Sequence, residues 1–304
     1  MSEENVIVLD HLTKDYGDER GIFDVSFSVP KGSVFGYCGT NGSGKTTTIR
    51  HMMGFLKPDQ GHCTLFGLDS WKNSEEIKKK AGYIPGEIAF PDLDSGTDFL
   101  KLQADMLGIK DMSRAEYLIK KLQLDPTARM KLMSKGMKQK TAIVEAFMGD
   151  PELLILDEPT TGLDPLMRDA FLSIVEESKA KGHTVFMSSH IFSEMEATCD
   201  YVGFIHEGHL LKVLDMREIT DRTLTDYNVA FQDLKNYDLF MANHASGPFQ
   251  ILHGDKEHLI ILVETPNERI KELFGELASY HIRYFSEKKF SLEQCFDDLL
   301  EEKE

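Results

Sequence analysis

Cysteine is scarce and scattered. The 304 residues hold four, Cys38, Cys63, Cys199 and Cys295, and no two form a CxxC pair. That spacing argues against a zinc site or a dithiol redox motif and leaves reduced, mostly buried thiols, as a reducing cytoplasm keeps them. Long hydrophobic runs are also missing. Residues 153–156 and 259–263 are strand-sized, far short of the roughly 20 apolar residues a membrane helix needs. The opening MSEENVIVLD has no basic region followed by an apolar stretch, so it does not read as a signal peptide. Basic charge is in deficit: 34 Lys and Arg stand against 51 Asp and Glu, a net charge of -17. This balance argues against a nucleic-acid partner, which favours a basic stripe, and against direct docking on an anionic membrane. No internal repeat, low-complexity tract or coiled-coil heptad run is visible. What is present, 41% hydrophobic and 28% charged residues, suits a globular chain with a sizeable core. The length suggests about two domains.

The punctuation of the chain predicts its organisation. Val6, Val8 and residues 23–29 read as short strands, with Gly17 and Gly21 between them. Residues 33–38 form a compact apolar run that reads as a buried strand, and residues 46–55 follow as a helix. From about 95 to 149 the apolar spacing is helical, as in Phe99, Leu102 and Met106. Strand signals return at 153–156 and 184–187, with a helical stretch at 166–181 between them. Alternating strands and helices predict parallel strands with crossover helices. Beyond residue 224 the composition shifts. Segments 227–231, 249–253 and 258–263 read as strands and 266–280 as a helix, so 225–304 is expected to form a small α+β domain of its own.

Between the buried strand at 33–38 and the helix after it stands Gly39-Thr40-Asn41-Gly42-Ser43-Gly44-Lys45-Thr46. Glycines let successive backbone N–H groups face a chain of phosphates, and the helix start adds its positive end. Lys45 supplies a mobile charge for the β- and γ-phosphates, and the Thr46 hydroxyl can ligate Mg²⁺. The apolar run at 153–156 ends in Asp157 and Glu158, at the end of a strand where open α/β sheets place their site crevice. Asp157 can hold Mg²⁺ through water, and Glu158 can polarise an attacking water. The segment 133–139, MSKGMKQ, precedes a helical run. Ser134 and Gly136 there can offer hydroxyl and backbone donors to phosphate, although alone they read as an ordinary N-cap. Thr161-Gly162-Leu163-Asp164 follows the carboxylates, and Ser188-Ser189-His190 ends the next apolar strand, where a histidine can sense a γ-phosphate.

In this order the motifs resemble the nucleotide-binding subunits of ABC transporters, over roughly residues 5–220. Residues 39–46 look like the Walker A loop, 153–158 the Walker B strand, 133–137 the signature segment, Leu163-Asp164 the D-loop and His190 the switch histidine. The resemblance implies an α/β P-loop NTPase of ABC type with a mixed sheet core, a helical subdomain inserted at about 87–150, and a nucleotide-binding domain over 1–224. It implies ATP and Mg²⁺ as ligands. Tyr16 would stack on adenine, and Thr47 would join residues 39–46 at the nucleotide. Glu158 and His190 would serve catalysis. Ser134, Gly136 and Asp164 would approach the nucleotide held by a second copy in a head-to-tail dimer. The ATPase would drive separate membrane permease subunits from the cytoplasmic face, docking through the helical segment after Gly86, with no nucleic acid involved. Lys135 and Met137 replace the usual Gly and Gln of the signature, and this form, with the ending Phe290-Ser291-Leu292-Glu293-Gln294-Cys295-Phe296, resembles the branch serving ABC-2 type exporters. Where the family places a metal-reaching Gln after Pro85, this chain has Gly86 and then Glu87. Either Glu87 substitutes as a metal ligand or water completes the shell. Ribosome-acting relatives resemble tandem duplications and chromosome-type ATPases carry a long coiled coil, and neither feature is present.

Overall fold

The computed structural model describes residues 4–220, 224–243, 249–288 and 290–301. By their contacts the residues divide into two units, Met1–Met216 with Cys295–Glu304, and Arg217–Gln294. Residues 295–301 therefore group with the first unit, whereas composition groups them with the rest of 225–304.

The first unit opens with β1 (Asn5–Asp15), β2 (Gly21–Pro30), β3 (Val34–Cys38) and α1 (Lys45–Met52). It continues through β4 (Gln60–Leu65), β5 (Leu68–Asp69), α2 (Ser74–Lys78) and β6 (Ala81–Ile84). Three helices follow, α3 (Gly96–Leu107), α4 (Ser113–Lys121) and α5 (Lys135–Met148), in the stretch expected to be helical. Then come β7 (Leu153–Asp157), α6 (Pro165–Ala180), β8 (Thr184–Ser189), α7 (Phe192–Thr198), β9 (Tyr201–His206) and β10 (His209–Asp215). A short α8 (Met216–Thr220) crosses into the second unit.

Two sheets share a core. One has strand order β10-β9-β3-β8-β7-β6, the other β2-β1-β4-β5. The first is parallel from β9 to β6, with β10 antiparallel on its edge. The second is antiparallel. Every residue of β3, β7 and β8 is buried, which is why these segments read as continuous apolar runs rather than alternating ones. Phe27 of β2 joins the sheets: its ring stacks on Phe35 at 5.1 Å and on Phe186 at 6.1 Å. Strands β4 and β10 escape the sequence reading because both are half exposed and carry polar residues, β10 at the edge of its sheet. Helix α3 starts as its sequence predicts, with the Ser95 hydroxyl accepting from the Asp98 N–H, and stops at Gly108 with φ 70°.

The second unit holds β11 (Leu224–Phe231), α9 (Leu234–Asn243), β12 (Gln250–Asp255), β13 (Ile260–Pro266), α10 (Ile270–Leu277) and β14 (Ile282–Glu287). Its antiparallel sheet has order β12-β13-β11-β14, a split βαβ arrangement. Phe231, Phe240, Ile261, Val263 and Leu273 fill its core. Helix α9 and strand β14 are absent from the sequence reading, since β14 alternates poorly and is mostly exposed. The final helix, α11 (Leu292–Glu301), carries Phe296, which packs on Phe204 at 5.5 Å and Phe192 at 5.6 Å. No helix among the described residues is long and apolar enough to cross a membrane. All four cysteines are free, and Cys38, Cys63 and Cys199 are buried.

Helix α4 is clamped to α6 by one carboxylate. Glu177 accepts from Tyr117 and Lys121 and, at 3.1 Å, from Arg114 Nη1. Burial disfavours its charged form, but these three donors outweigh burial and hold the carboxyl at about 2. A depressed pKa contributes stability above the unfolded value and loses it as pH falls toward the folded one. Glu177→Gln is therefore expected to lower the melting temperature near neutral pH. That deficit should narrow below about pH 4.5 and largely vanish near about pH 2, as thermal melts across this range would show.

Candidate active site

The parallel register places three strand ends in one row. Cys38 pairs with Ser189 across β3 and β8, and Asp157 with Ser188 across β7 and β8. The glycine loop leaves β3 there and turns into α1. Gly42 and Gly44 have φ of 83° and 110°, a region that side-chain-bearing residues rarely occupy. A Cβ on Gly44 would also stand 2.7 Å from Ile22 Cγ2. Lys45 is 6% exposed. Its Nζ donates to the carbonyls of Gly39 at 2.7 Å and Thr40 at 3.1 Å, and lies 3.4 Å from Glu158 Oε1. The Thr46 hydroxyl donates to Asp157 Oδ2 at 2.8 Å.

Glu158 follows β7 with φ 50°, a left-handed backbone that stores strain in a residue with a side chain. The turn is held by Ser188, whose Oγ accepts from the Glu158 N–H at 3.0 Å and donates to Asp157 Oδ1 at 2.6 Å. Glu158 Oε2 lies 2.8 Å from His190 Nδ1. One carboxylate thus touches both the loop lysine and the histidine at the end of β8. The neighbouring Cys38 thiol is inert by contrast, because burial holds its pKa well above the ordinary value.

A cleft of about 1230 Å³ opens above these groups. Asn41, Gly42, Ser43, Gly44, Lys45, Thr46 and Thr47 line it, together with Tyr16, Glu158 and His190. Gly39 and Thr40 lie outside the lining and serve by holding Lys45. Asp157 is buried behind Thr46. Gly86 lines the cleft and Glu87 does not; Glu87 is exposed. A Cβ on Gly86 would stand 2.9 Å from Asp157 Oδ2, so the residue after Pro85 is the one that faces the carboxylate. Ser134, Gly136 and Asp164 are likewise outside the lining. Ser134 caps α5, its hydroxyl accepting from Met137 N at 3.2 Å, and Asp164 caps α6, accepting from Met167 N at 3.0 Å. A Cβ on Gly136 would meet the Gly162 carbonyl at 2.8 Å, so the segments carrying these two caps pack together. Gln139, in the turn after Gly136, donates to the Pro159 carbonyl at 2.7 Å.

Several residues at the site escaped the sequence reading. Ser188 is visible in the sequence only as part of the strand end before His190, and its hold on Asp157 and Glu158 comes from the pairing of β7 with β8. Phe23 and His209 stack at 5.3 Å in the cleft lining, far from Tyr16 in sequence terms for His209. The Gly208 N–H donates to the Ser43 carbonyl at 2.9 Å, and its carbonyl accepts from Phe23 N at 2.8 Å. The β9–β10 turn therefore braces the phosphate loop.

Comparison with known proteins agrees with this geometry. The sequence is 35% identical over 243 residues to the bacitracin transport ATP-binding protein BcrA of Bacillus licheniformis, covering 79% of each chain. The chain belongs to the ABC transporter ATP-binding subunits. The family described as "ABC transporter" matches residues 22–161. The linearmycin resistance ATP-binding protein LnrL of Bacillus subtilis (strain 168) is 34% identical, with 70% of each chain covered. A solved ATP-binding subunit of an ABC transporter is 31% identical and superposes with a TM-score of 0.64, over 70% of this chain and 91% of that one. As an ABC ATP-binding subunit the protein binds and hydrolyses ATP, on an α/β fold shared with these relatives.

Lys45 is the buried cation of the cleft, and an ion pair to phosphate out of water is worth more than one at the surface. Lys45→Ala is expected to weaken ATP binding by about tenfold or more. Equilibrium binding of a fluorescent ATP analogue measures this; unchanged affinity would remove the assignment of the loop as the phosphate cradle.

Proposed function

We propose that two copies of this ABC subunit hydrolyse ATP between them and drive separate membrane permease subunits of an ABC-2 type exporter. The observation that supports this most is the incompleteness of the cleft. It gathers the phosphate loop, Glu158 and His190 on one wall, while Ser134 and Gly136 lie elsewhere on the same chain. A second copy, turned head to tail, would bring its Ser134–Gly136 segment and Asp164 to the open side of each nucleotide. The N-terminus of α5, with its positive dipole end, suits that contact.

In this reading water attacks the γ-phosphate in line. Glu158 orients that water and accepts its proton. His190, 2.8 Å from the carboxylate, keeps it aimed. Lys45 and the loop N–H groups stabilise charge on the phosphoryl oxygens. Tyr16, half exposed in the cleft lining, stacks on adenine. The residues fit Mg²⁺, which takes few protein oxygens and keeps water and phosphate in its shell. Thr46 and Asp157 present a hydroxyl and a carboxylate 2.8 Å apart. No cluster of three or more His, Cys, Asp or Glu able to hold a metal by itself occurs among the described residues. Thr46 would bind the ion directly and Asp157 through water; the ion would neutralise charge on the β- and γ-phosphates. Beside Gly86, which brings no side chain toward Asp157, water would complete the shell in place of Glu87.

The names of the relatives, bacitracin transport and linearmycin resistance, support outward transport. The exposed apolar residues Leu102, Met106 and Leu107 of α3 support docking of the permease on the helical segment after Gly86. The ATPase would then sit at the cytoplasmic face of the membrane, held there by the permease, with no nucleic-acid partner.

Glu158→Gln keeps the shape of the side chain and removes its basicity. It is expected to bind ATP normally, to lose turnover by on the order of 10² or more, and to accumulate as an ATP-bound dimer. ATPase assay with light scattering tests this; wild-type turnover would contradict the role of Glu158.

A further inference from the structure

Glu194 lies in α7 with its side chain almost wholly buried, 6% exposed. Its Oε2 accepts from the Thr160 hydroxyl at 2.9 Å and from the Ser189 hydroxyl at 3.3 Å. Its Oε1 has no hydrogen-bond partner among the described residues. Those two donors belong to different loops. Thr160 is two residues beyond Glu158, in the turn closed by Thr161 N to the Glu158 carbonyl at 3.1 Å. Ser189 immediately precedes His190, and its Oγ also accepts from Ile191 N at 2.9 Å, bending the chain as it leaves β8. One carboxylate oxygen therefore ties the loop after β7 to the loop after β8.

A carboxylate is a costly choice for such a place. Removing it from water is unfavourable unless donors compensate, and here two neutral hydroxyls do so, with no salt bridge to it among the described residues. Burial accordingly pushes the Glu194 pKa up, with Thr160, Ser189 and the charge of Arg168 pulling the other way. An apolar side chain would fill the same space more cheaply. What an apolar side chain cannot do is accept from two loops at once. The two loops carry the side chains that must meet at 2.8 Å, Glu158 and His190, and Glu158 already leaves its strand in a left-handed conformation that needs support from its surroundings.

We propose that Glu194 is a positioning residue for hydrolysis, strapping the segment that leaves Glu158 to the segment that enters His190. The strap acts through Thr160 and Ser189, and all three side chains lie outside the cleft lining. It rests on the reading of Glu158 as the group that orients the attacking water. A shift of about 1 Å in such a group can cost on the order of 10² in rate, whereas the phosphate loop that binds ATP has its own braces, Lys45 to the Gly39 carbonyl and Gly208 to the Ser43 carbonyl.

The test is steady-state ATPase kinetics of the full chain. Glu194→Ala is expected to lower kcat by about tenfold to a hundredfold while KM for ATP stays within about twofold. Glu194→Gln should recover most of the loss, because its amide oxygen can accept the same two hydroxyls. Thr160→Val should lower kcat alone yet add little on the Glu194→Ala background, as partners in one network do. Should Glu194→Ala fail to fold, Thr160→Val and Ser189→Ala each remove one donor and carry the same expectation. Wild-type kcat in Glu194→Ala, or in both hydroxyl variants, would overturn the proposal. So would a Glu194→Gln variant as impaired as Glu194→Ala, or a parallel loss of ATP affinity and kcat. Glu158→Gln measured alongside separates the two readings. If it turns over normally, the role of Glu158 fails; if it is inactive while Glu194→Ala is normal, only the strap fails.

Discussion

The parallel register of β3, β8 and β7 is the constraint on which the site depends. It sets Cys38 beside Ser189 and Asp157 beside Ser188, so three strands end at one level. Every group proposed for catalysis is a short extension from that row. The phosphate loop continues β3, Glu158 continues β7 and His190 continues β8. A slip of one residue in any of the three would turn every side chain on that strand to the opposite face. The all-buried composition of these strands and the aromatic stack of Phe27, Phe35 and Phe186 are what hold the register.

From that row the structure builds a polar network that is satisfied almost entirely from within. Lys45 spans Gly39, Thr40 and Glu158. Asp157 is divided between Thr46 and Ser188. Buried polar groups of this kind are worth keeping only when paired, and their pairing holds the walls of the cleft in place. Outside the network, Ser134 and Asp164 are used as helix caps. That is the ordinary role their residue types predict, and it keeps the N-termini of α5 and α6 regular.

How much was legible from residues alone follows from what kind of feature each one is. The phosphate loop is eight consecutive residues whose types are dictated by backbone geometry, so it could be read directly. Strands β3, β7 and β8 are buried on both faces and announce themselves as apolar runs. The roles of Ser188, Glu194 and Gly208 are not legible, because each depends on a neighbour thirty or more residues away in the chain. Edge strands β10 and β14 were missed because a half-exposed strand carries polar residues that blur its period. Gly86 and Glu87 were legible as a departure but not in their consequence. Only the structure sets Gly86 against Asp157 and leaves Glu87 outside the cleft lining.

The central claim is that a working site is shared between two copies. Mixing two inactive variants tests it most directly: Lys45→Ala, which spoils the phosphate loop, and Gly136→Asp, which places a charge at the start of α5. In a mixed dimer one of the two sites carries an intact loop facing an intact Ser134–Gly136 segment. Turnover should reappear on mixing, up to about a quarter of the wild-type rate if dimers form at random. Activity that stays at the level of the separate variants, while mixed dimers demonstrably form, would contradict a shared site.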